Sequence, residues 1–137
     1  MSIQQLSHLH HCAYSIQFHL VLVTKYRRKC INSQVLEQLN EVFTRLSDTW
    51  GGKLIEFNGE PDHVHLLVAL NPSVQPSKFV NNIKTVSSRL LRRDHKIHLS
   101  RFYRKSVFWS RTYCLLSCGG APLGVIKQYI EQQAGVE

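Results

Sequence analysis

Between residues 13 and 24 apolar and polar side chains alternate. Tyr14, Ile16, Phe18, Leu20 and Leu22 share one side and Ser15, Gln17, His19, Val21 and Val23 the other. This period of two predicts a first strand, closed by the basic run Lys25-Tyr26-Arg27-Arg28-Lys29. After Asn32 the spacing changes: Val35, Leu36, Leu39, Val42, Phe43, Leu46 and Trp50 fall on one helical stripe, with Ser33 as N-cap and Gly51-Gly52 as the stop. Residues 53–58 predict a short second strand. Gly59-Glu60-Pro61-Asp62 turns into a third over 63–70, and the pair forms a hairpin. A proline-bearing loop over 71–76 leads to Ser77, the expected N-cap of a second helix with Phe79, Val80, Ile83, Val86, Leu90 and Leu91 on its apolar face. A basic, aromatic loop then runs to about 106, and residues 107–118 predict a fourth strand, rich in aromatic and aliphatic side chains. Gly119-Gly120 ends that strand, and Pro122 suits the first turn of a last helix over 122–134.

The resulting order, β-α-β-β-α-β-α, is α+β: a ferredoxin-like βαββαβ antiparallel sheet with one added C-terminal helix. A chain of 137 residues with no repeat, low-complexity tract or long linker is expected to form a single domain, 1–137. Seventeen Lys and Arg against nine Asp and Glu give a net charge of +8, which draws the protein toward polyanions. No apolar run reaches the roughly 18 residues of a membrane span. The start, Met1-Ser2-Ile3-Gln4-Gln5, lacks the basic and apolar regions of a signal peptide, so a cytosolic protein with no membrane partner is expected. The cysteines at 12, 30, 114 and 118 make no Cys-x-x-Cys pair and read as reduced thiols. Cys114 and Cys118, on one strand, stand roughly 13 Å apart, too far for a disulfide.

Candidate chemistry starts on the third strand. Residues i and i+2 of a strand point the same way, so His63 and His65 project side by side while Val64, Leu66, Val68 and Leu70 enter the core. Two imidazoles on one rigid strand can converge on a metal but leave at least one ligand to be supplied elsewhere. The other His-x-His, His8 and His10, lies in a polar segment without strand patterning and reads as solvated. On the last helix Tyr129 and Gln133 are one turn apart, beside an expected core stripe of Leu123, Ile126, Ile130 and Ala134. They offer a phenol nucleophile and an amide oxygen able to complete a metal site. Asp62 reads as a turn residue or as a hydrogen-bond partner of a histidine. His19 reads as a core or surface histidine that could approach the site from the first strand.

Taken together, Glu60-Pro61-Asp62-His63-Val64-His65-Leu66-Leu67 resembles the HUH motif, two histidines flanking a hydrophobic residue. Tyr129-Ile130-Glu131-Gln132-Gln133 resembles the tyrosine helix of the single-tyrosine transposases of the 200/605-type insertion sequences. Lys25-Tyr26-Arg27-Arg28, Phe108-Trp109-Ser110-Arg111-Thr112-Tyr113 and Ser117-Cys118-Gly119-Gly120 extend the resemblance in order over nearly the whole chain. The resemblance implies an enzyme that cleaves and rejoins single-stranded DNA at insertion-sequence ends without ATP, after recognising imperfect DNA hairpins. Tyr129 would attack the scissile phosphate, leaving a 5′-phosphotyrosine and a free 3′-OH, while His63, His65 and Gln133 would hold a divalent metal. Histidines with an amide oxygen and a substrate phosphate suit Mg²⁺ or Mn²⁺ in an open site. The resemblance also implies a homodimer, with the tyrosine helix docking on its own or the partner subunit from the segment at Gly119-Gly120, in a prokaryotic cytosol or nucleoid.

Charge patterning supplies candidate DNA contacts. Residues 84–111 carry Lys84, Arg89, Arg92, Arg93, Lys96, Arg101, Arg104, Lys105 and Arg111 against one acid, Asp94; with Lys25, Arg27, Arg28 and Lys29 they make 13 of the 17 basic residues. Phe102, Tyr103, Phe108 and Trp109, interleaved with them, are candidates for stacking on unpaired bases or for the core. A non-catalytic ferredoxin-like nucleic-acid-binding protein is the alternative from another class, although the third strand carries His-Val-His where an RNA-recognition module has aromatics and glycine. A domesticated relative acting on chromosomal repeat hairpins keeps the chemistry but changes its use. A small metal-dependent structural protein is a third alternative, against which the core patterning looks sufficient without metal.

Overall fold

The computed structural model of the chain describes residues 7–9, 12–118 and 123–132, with the backbone alone described over 123–127. Four strands, β3 (Gln17–Thr24), β4 (Lys53–Glu60), β5 (His63–Ala69) and β6 (Trp109–Ser117), form one antiparallel sheet in the order β4-β5-β3-β6. Each helical crossover thus skips a strand, the split βαβ arrangement of the ferredoxin-like fold expected from the element order. Helices α1 (Ser33–Thr49) and α2 (Pro76–Asp94) cover one side of this sheet. Leu20, Leu22, Val64, Leu66 and Val68 meet Leu39, Phe43, Phe79 and Ile83 there in a core with almost no solvent access. The last helix, α4 (Leu123–Gln132), lies on the opposite side, where Tyr129 and Ile130 pack on Val21, Val23, Cys114 and Leu116.

Local boundaries moved where nonlocal partners decided them. The expected first strand over 13–24 divides: β2 (Cys12–Tyr14) leaves the sheet and pairs with β1 (Ser7–Leu9). The reason is register. Gln17 stands opposite Ala69 and Phe18 opposite Ser117, where β5 and β6 end; Ile16 O still accepts from Leu70 N–H at 3.0 Å, and the residues before it must satisfy their backbone groups elsewhere. His8, expected in an unpatterned segment, is therefore an exposed strand residue, whereas His10 lies outside the described residues.

Asn32, not Ser33, caps α1, accepting the Val35 N–H on Oδ1 at 2.8 Å. Gly51 follows the helix with φ +75°, a conformation that only glycine adopts without strain. Gln75 precedes α2 and Pro76 occupies its first turn, so Ser77 lies inside the helix. The expected loop after residue 91 instead continues α2 to Asp94, and after His95 forms a short helix, α3 (Lys96–Ser100). Among the described residues no helix is long and apolar enough to cross a membrane.

All four cysteines are free; Cys12 and Cys118 are exposed and Cys30 is buried. Burial pushes the Cys30 thiol up to about 11, despite a contact with Tyr103 Oη at 3.9 Å that favours the thiolate. A raised thiol pKa means less thiolate, the reactive form, at any neutral pH. Iodoacetamide at pH 8 should alkylate Cys12 and Cys118 first, and Cys30 only on unfolding. Peptide mass mapping of a time course checks this, and equal rates at Cys12 and Cys30 would contradict the packing around Cys30.

Candidate functional site

The site forms on the side of the sheet away from α1 and α2. Directly opposed residues of an antiparallel pair point the same way, so His65, opposite Val21, and His63, opposite Val23, share a side with these valines and with His19 two residues upstream. Tyr129 packs on the same valines from α4, its hydroxyl oxygen buried. Residues 19, 63, 65 and 129 thus reach one side of one sheet from three separate elements.

Each histidine has a defined neighbour. Asp62 Oδ1 accepts from His63 Nδ1 at 2.7 Å, and Asp62 Oδ2 accepts from Arg27 Nε at 2.7 Å. Burial opposes charge on Asp62, but the hydrogen bonds from His63 and Arg27 outweigh it and hold the carboxyl below the usual carboxylate range. An ionised Asp62 can only accept. The His63 proton is therefore on Nδ1, and Nε2 presents its lone pair outward, the orientation in which metal-binding histidines are commonly fixed. Across the sheet, His65 Nε2 lies 3.0 Å from His19 Nδ1 with the rings stacked at 5.1 Å, one nitrogen donating and the other accepting. Burial first, and the facing His19 second, push the His65 imidazole below its ordinary value, which favours the neutral ring at pH 7.

Among the described residues no three His, Cys, Asp or Glu side chains form a metal-holding group. His63 and His65 are two imidazoles whose chemistry suits a divalent metal, and Gln133, the expected third ligand, lies outside the described residues. So do Gly119 and Gly120, expected to set the dock of the tyrosine helix. Asp62 is a histidine partner as well as a turn residue, and His19 does approach the site; the first contact joins chain neighbours and the second crosses from β3 to β5.

The Arg27 contact depends on an unusual turn. Lys25–Arg27 is a short 3₁₀ segment in which Tyr26 and Arg27 both have left-handed backbone, φ 57° and 55°. The surrounding bonds hold it at both ends. Lys25 N–H donates to Phe108 O at 2.8 Å, Tyr103 Oη to Lys25 O at 2.6 Å, and Thr24 Oγ1 to Arg28 O at 2.7 Å. Such strain persists only where neighbours over-determine it.

At the same end of the sheet lies the basic surface. A groove of about 540 Å³ is lined by Arg89, Arg92, Arg93, Lys96, Arg104 and Lys105. It continues past Arg104 and Lys105 into a pocket of about 560 Å³ at Lys25, Tyr26 and Arg28, and past Arg92 toward Lys84 and Arg111. Lys29 is exposed beside this surface. Two expected phosphate contacts also have structural duties: Arg27 holds Asp62, and Lys84 Nζ donates to the carbonyls of Ser110 and Arg111 at 2.8 and 3.0 Å. A groove of about 700 Å³ between α1 and α2 mixes Glu37, Glu41 and Asp94 with Arg45 and Arg93 and so lacks the one-signed cationic lining of the other. Of the four aromatic stacking candidates, Tyr103, Phe108 and Trp109 are buried in the core and Phe102 is half-buried against His98. The exposed aromatic of this surface is Tyr26, which no hydrophobic pattern singled out.

Residues 12–133 match the family described as "Transposase IS200 like". The chain is 27% identical over 120 residues to the ISDra2 transposase TnpA of Deinococcus radiodurans, covering 88% of this chain and 85% of that one. It is 26% identical over 125 residues to the transposase for insertion sequence element IS200 of Salmonella typhimurium, covering 91% and 81%. A crystal structure of a Deinococcus radiodurans protein described as a transposase superposes with TM-score 0.82 at 26% identity, over 95% of this chain and 99% of that one. A REP-associated tyrosine transposase solved with a REP hairpin superposes with TM-score 0.54 at 9% identity, over 91% and 68%, a likeness of fold.

Proposed function

We propose, for a chain that belongs to the IS200-like transposase family, that it cleaves and rejoins single-stranded DNA at insertion-sequence ends through a covalent bond to Tyr129. The observation that carries this reading is the convergence of His63, His65 and the Tyr129 helix on one side of the sheet, beside a basic groove at its end. Tyr129 Oη attacks the scissile phosphorus, the P–O3′ bond breaks, the phenol gives up its proton and the departing 3′ oxygen gains one. The products are a 5′-phosphotyrosine and a free 3′-OH. A later 3′-OH attacking the phosphotyrosine reverses these steps and joins strands, so no ATP is required.

His63 and His65, with Gln133, would hold Mg²⁺ or Mn²⁺, which when bound acts as a Lewis acid on a phosphate oxygen and orients the leaving group. The chain's own residues do the rest. Asp62 and Arg27 fix the His63 ring, and the groove lined by Arg89, Arg92, Arg104 and Lys105 takes the phosphates of a hairpin near the element end. The working assembly in this reading is a homodimer. A relative that applies the same chemistry to repeat hairpins differs only in its target.

Incubating the protein with end-labelled single strands from its flanking DNA, in Mg²⁺, Mn²⁺ or EDTA, tests the reading. It expects a denaturant-resistant adduct that requires the metal. Tight hairpin binding without an adduct, at confirmed metal occupancy, would replace it with a non-catalytic binding protein.

Asp62 acts here as a positioning residue. Asp62→Ala should weaken Mn²⁺ binding by about 10- to 100-fold, read by titration calorimetry of the full chain. Asp62→Asn, which still accepts from His63, should recover part of the loss. Equal Mn²⁺ affinities in all three proteins would remove Asp62 from the site.

A further inference from the structure

The turn that sends Arg27 to Asp62 also sets Tyr26 at the end of the basic groove. Its backbone is left-handed, which is an outlier for a bulky side chain and needs a reason beyond chain reversal. Its ring is 48% exposed, and among the described residues it is the one exposed aromatic. Lys25 Nζ lies 5.4 Å and the Arg28 guanidinium 5.7 Å from its centroid. Phe102, Tyr103, Arg104, Lys105 and Val107 complete the walls of the pocket of about 560 Å³ beside it.

An aromatic face ringed by cations matches the two halves of a nucleotide, a flat base and an anionic phosphate. We infer that Tyr26 is the platform on which an unpaired base of a bound DNA strand stacks, with Arg28, Arg104 and Lys105 taking the neighbouring phosphates. The inference rests on the function proposed above and adds to it a contact that only unpaired DNA can make. A paired base has its faces covered within the duplex, so stacking here selects single strand over duplex. It does not read sequence, because every base has a π face. A cation over an exposed ring is a weak partner, and the incoming phosphate takes it over when the base arrives. The same turn joins this contact to the catalytic side through Arg27, Asp62 and His63.

The test uses the full chain with two probes, an oligothymidylate carrying a central 2-aminopurine and a blunt duplex of equal length. Wild-type binding should quench the 2-aminopurine. Tyr26→Gly removes the ring and suits the left-handed backbone, so the fold is not put at risk. It should bind the single strand about tenfold more weakly, lose the quench, and bind the duplex as before. Its salt dependence should keep the wild-type slope, because no phosphate contact has been removed. Tyr26→Trp should retain strand affinity and quench. Unchanged strand affinity and quench in Tyr26→Gly would overturn the inference, as would an equal loss on strand and duplex. A wild-type protein that forms no Tyr129 adduct on its flanking strands would sink the parent reading, whereas a wild-type adduct with an indifferent Tyr26→Gly, or with no binding of the oligothymidylate, would sink this inference alone.

Discussion

Tyr129→Phe is expected to eliminate the covalent protein–DNA adduct, lowering strand cleavage by a factor on the order of 10⁴ to 10⁶, the scale for loss of a nucleophile. The substitution removes one oxygen and leaves the ring that packs with Ile130 on Val21 and Val23. Loss of one hydroxyl changes stability by about 1 kcal/mol, so the melting temperature should move by only a few degrees. Hairpin affinity should be unchanged, since the basic groove is built from α2, α3 and the 101–108 segment and not from α4. The measurement pairs a denaturing gel for the adduct with an equilibrium binding assay on the same DNA. Loss of both binding and adduct would make Tyr129 a packing residue of α4, and an undiminished adduct would mean another nucleophile.

His63→Ala and His65→Ala are each expected to slow cleavage by about 10²- to 10³-fold, the rate equivalent of a few kcal/mol of charge stabilisation at the phosphate. Neither side chain belongs to the buried core, which β5 fills with Val64, Leu66 and Val68. The fold and the hairpin affinity should therefore survive. The two variants should differ in stability. His63→Ala leaves Asp62 with Arg27 as its remaining side-chain partner, whereas His65→Ala removes a half-buried ring stacked on His19. Single-turnover cleavage across a Mn²⁺ titration, with circular dichroism of each variant, checks both points. Cleavage at wild-type rate in either protein, with the same Mn²⁺ dependence, would exclude that histidine from the metal site.

The α+β architecture was legible because the first and third strands place their core residues at period two, the fourth is rich in aromatic and aliphatic side chains, and each of α1 and α2 carries a stripe at period 3.6. These are local signals that the final packing reinforced. Leu20 and Leu22 on one side of β3 and Val21 and Val23 on the other were assigned to opposite sides by alternation alone, and both pairs are buried because helices cover both sides of the sheet. Local pattern fails where a segment's partner is remote. Nothing near residue 16 says that β5 and β6 stop there, and nothing near His95 distinguishes a loop from a short helix over basic residues.

By itself the sequence determined the order of the four sheet strands and of α1, α2 and α4 among them, the shared side of His63 and His65, the helical setting of Tyr129 and the clustering of basic residues. Each follows from a spacing of a few residues and the fixed geometry of strand or helix. Tertiary structure decided which of these features meet. His19 and His65 are 46 residues apart and touch because β3 and β5 pair in one antiparallel register. Arg27 reaches Asp62 because two successive left-handed residues turn the chain back over the start of β5. Phe108 and Trp109 went to the core while Tyr26 stayed out, although all three sit among basic residues. Burial is settled by what packs across the sheet, and that is a property of the whole fold, not of any one segment.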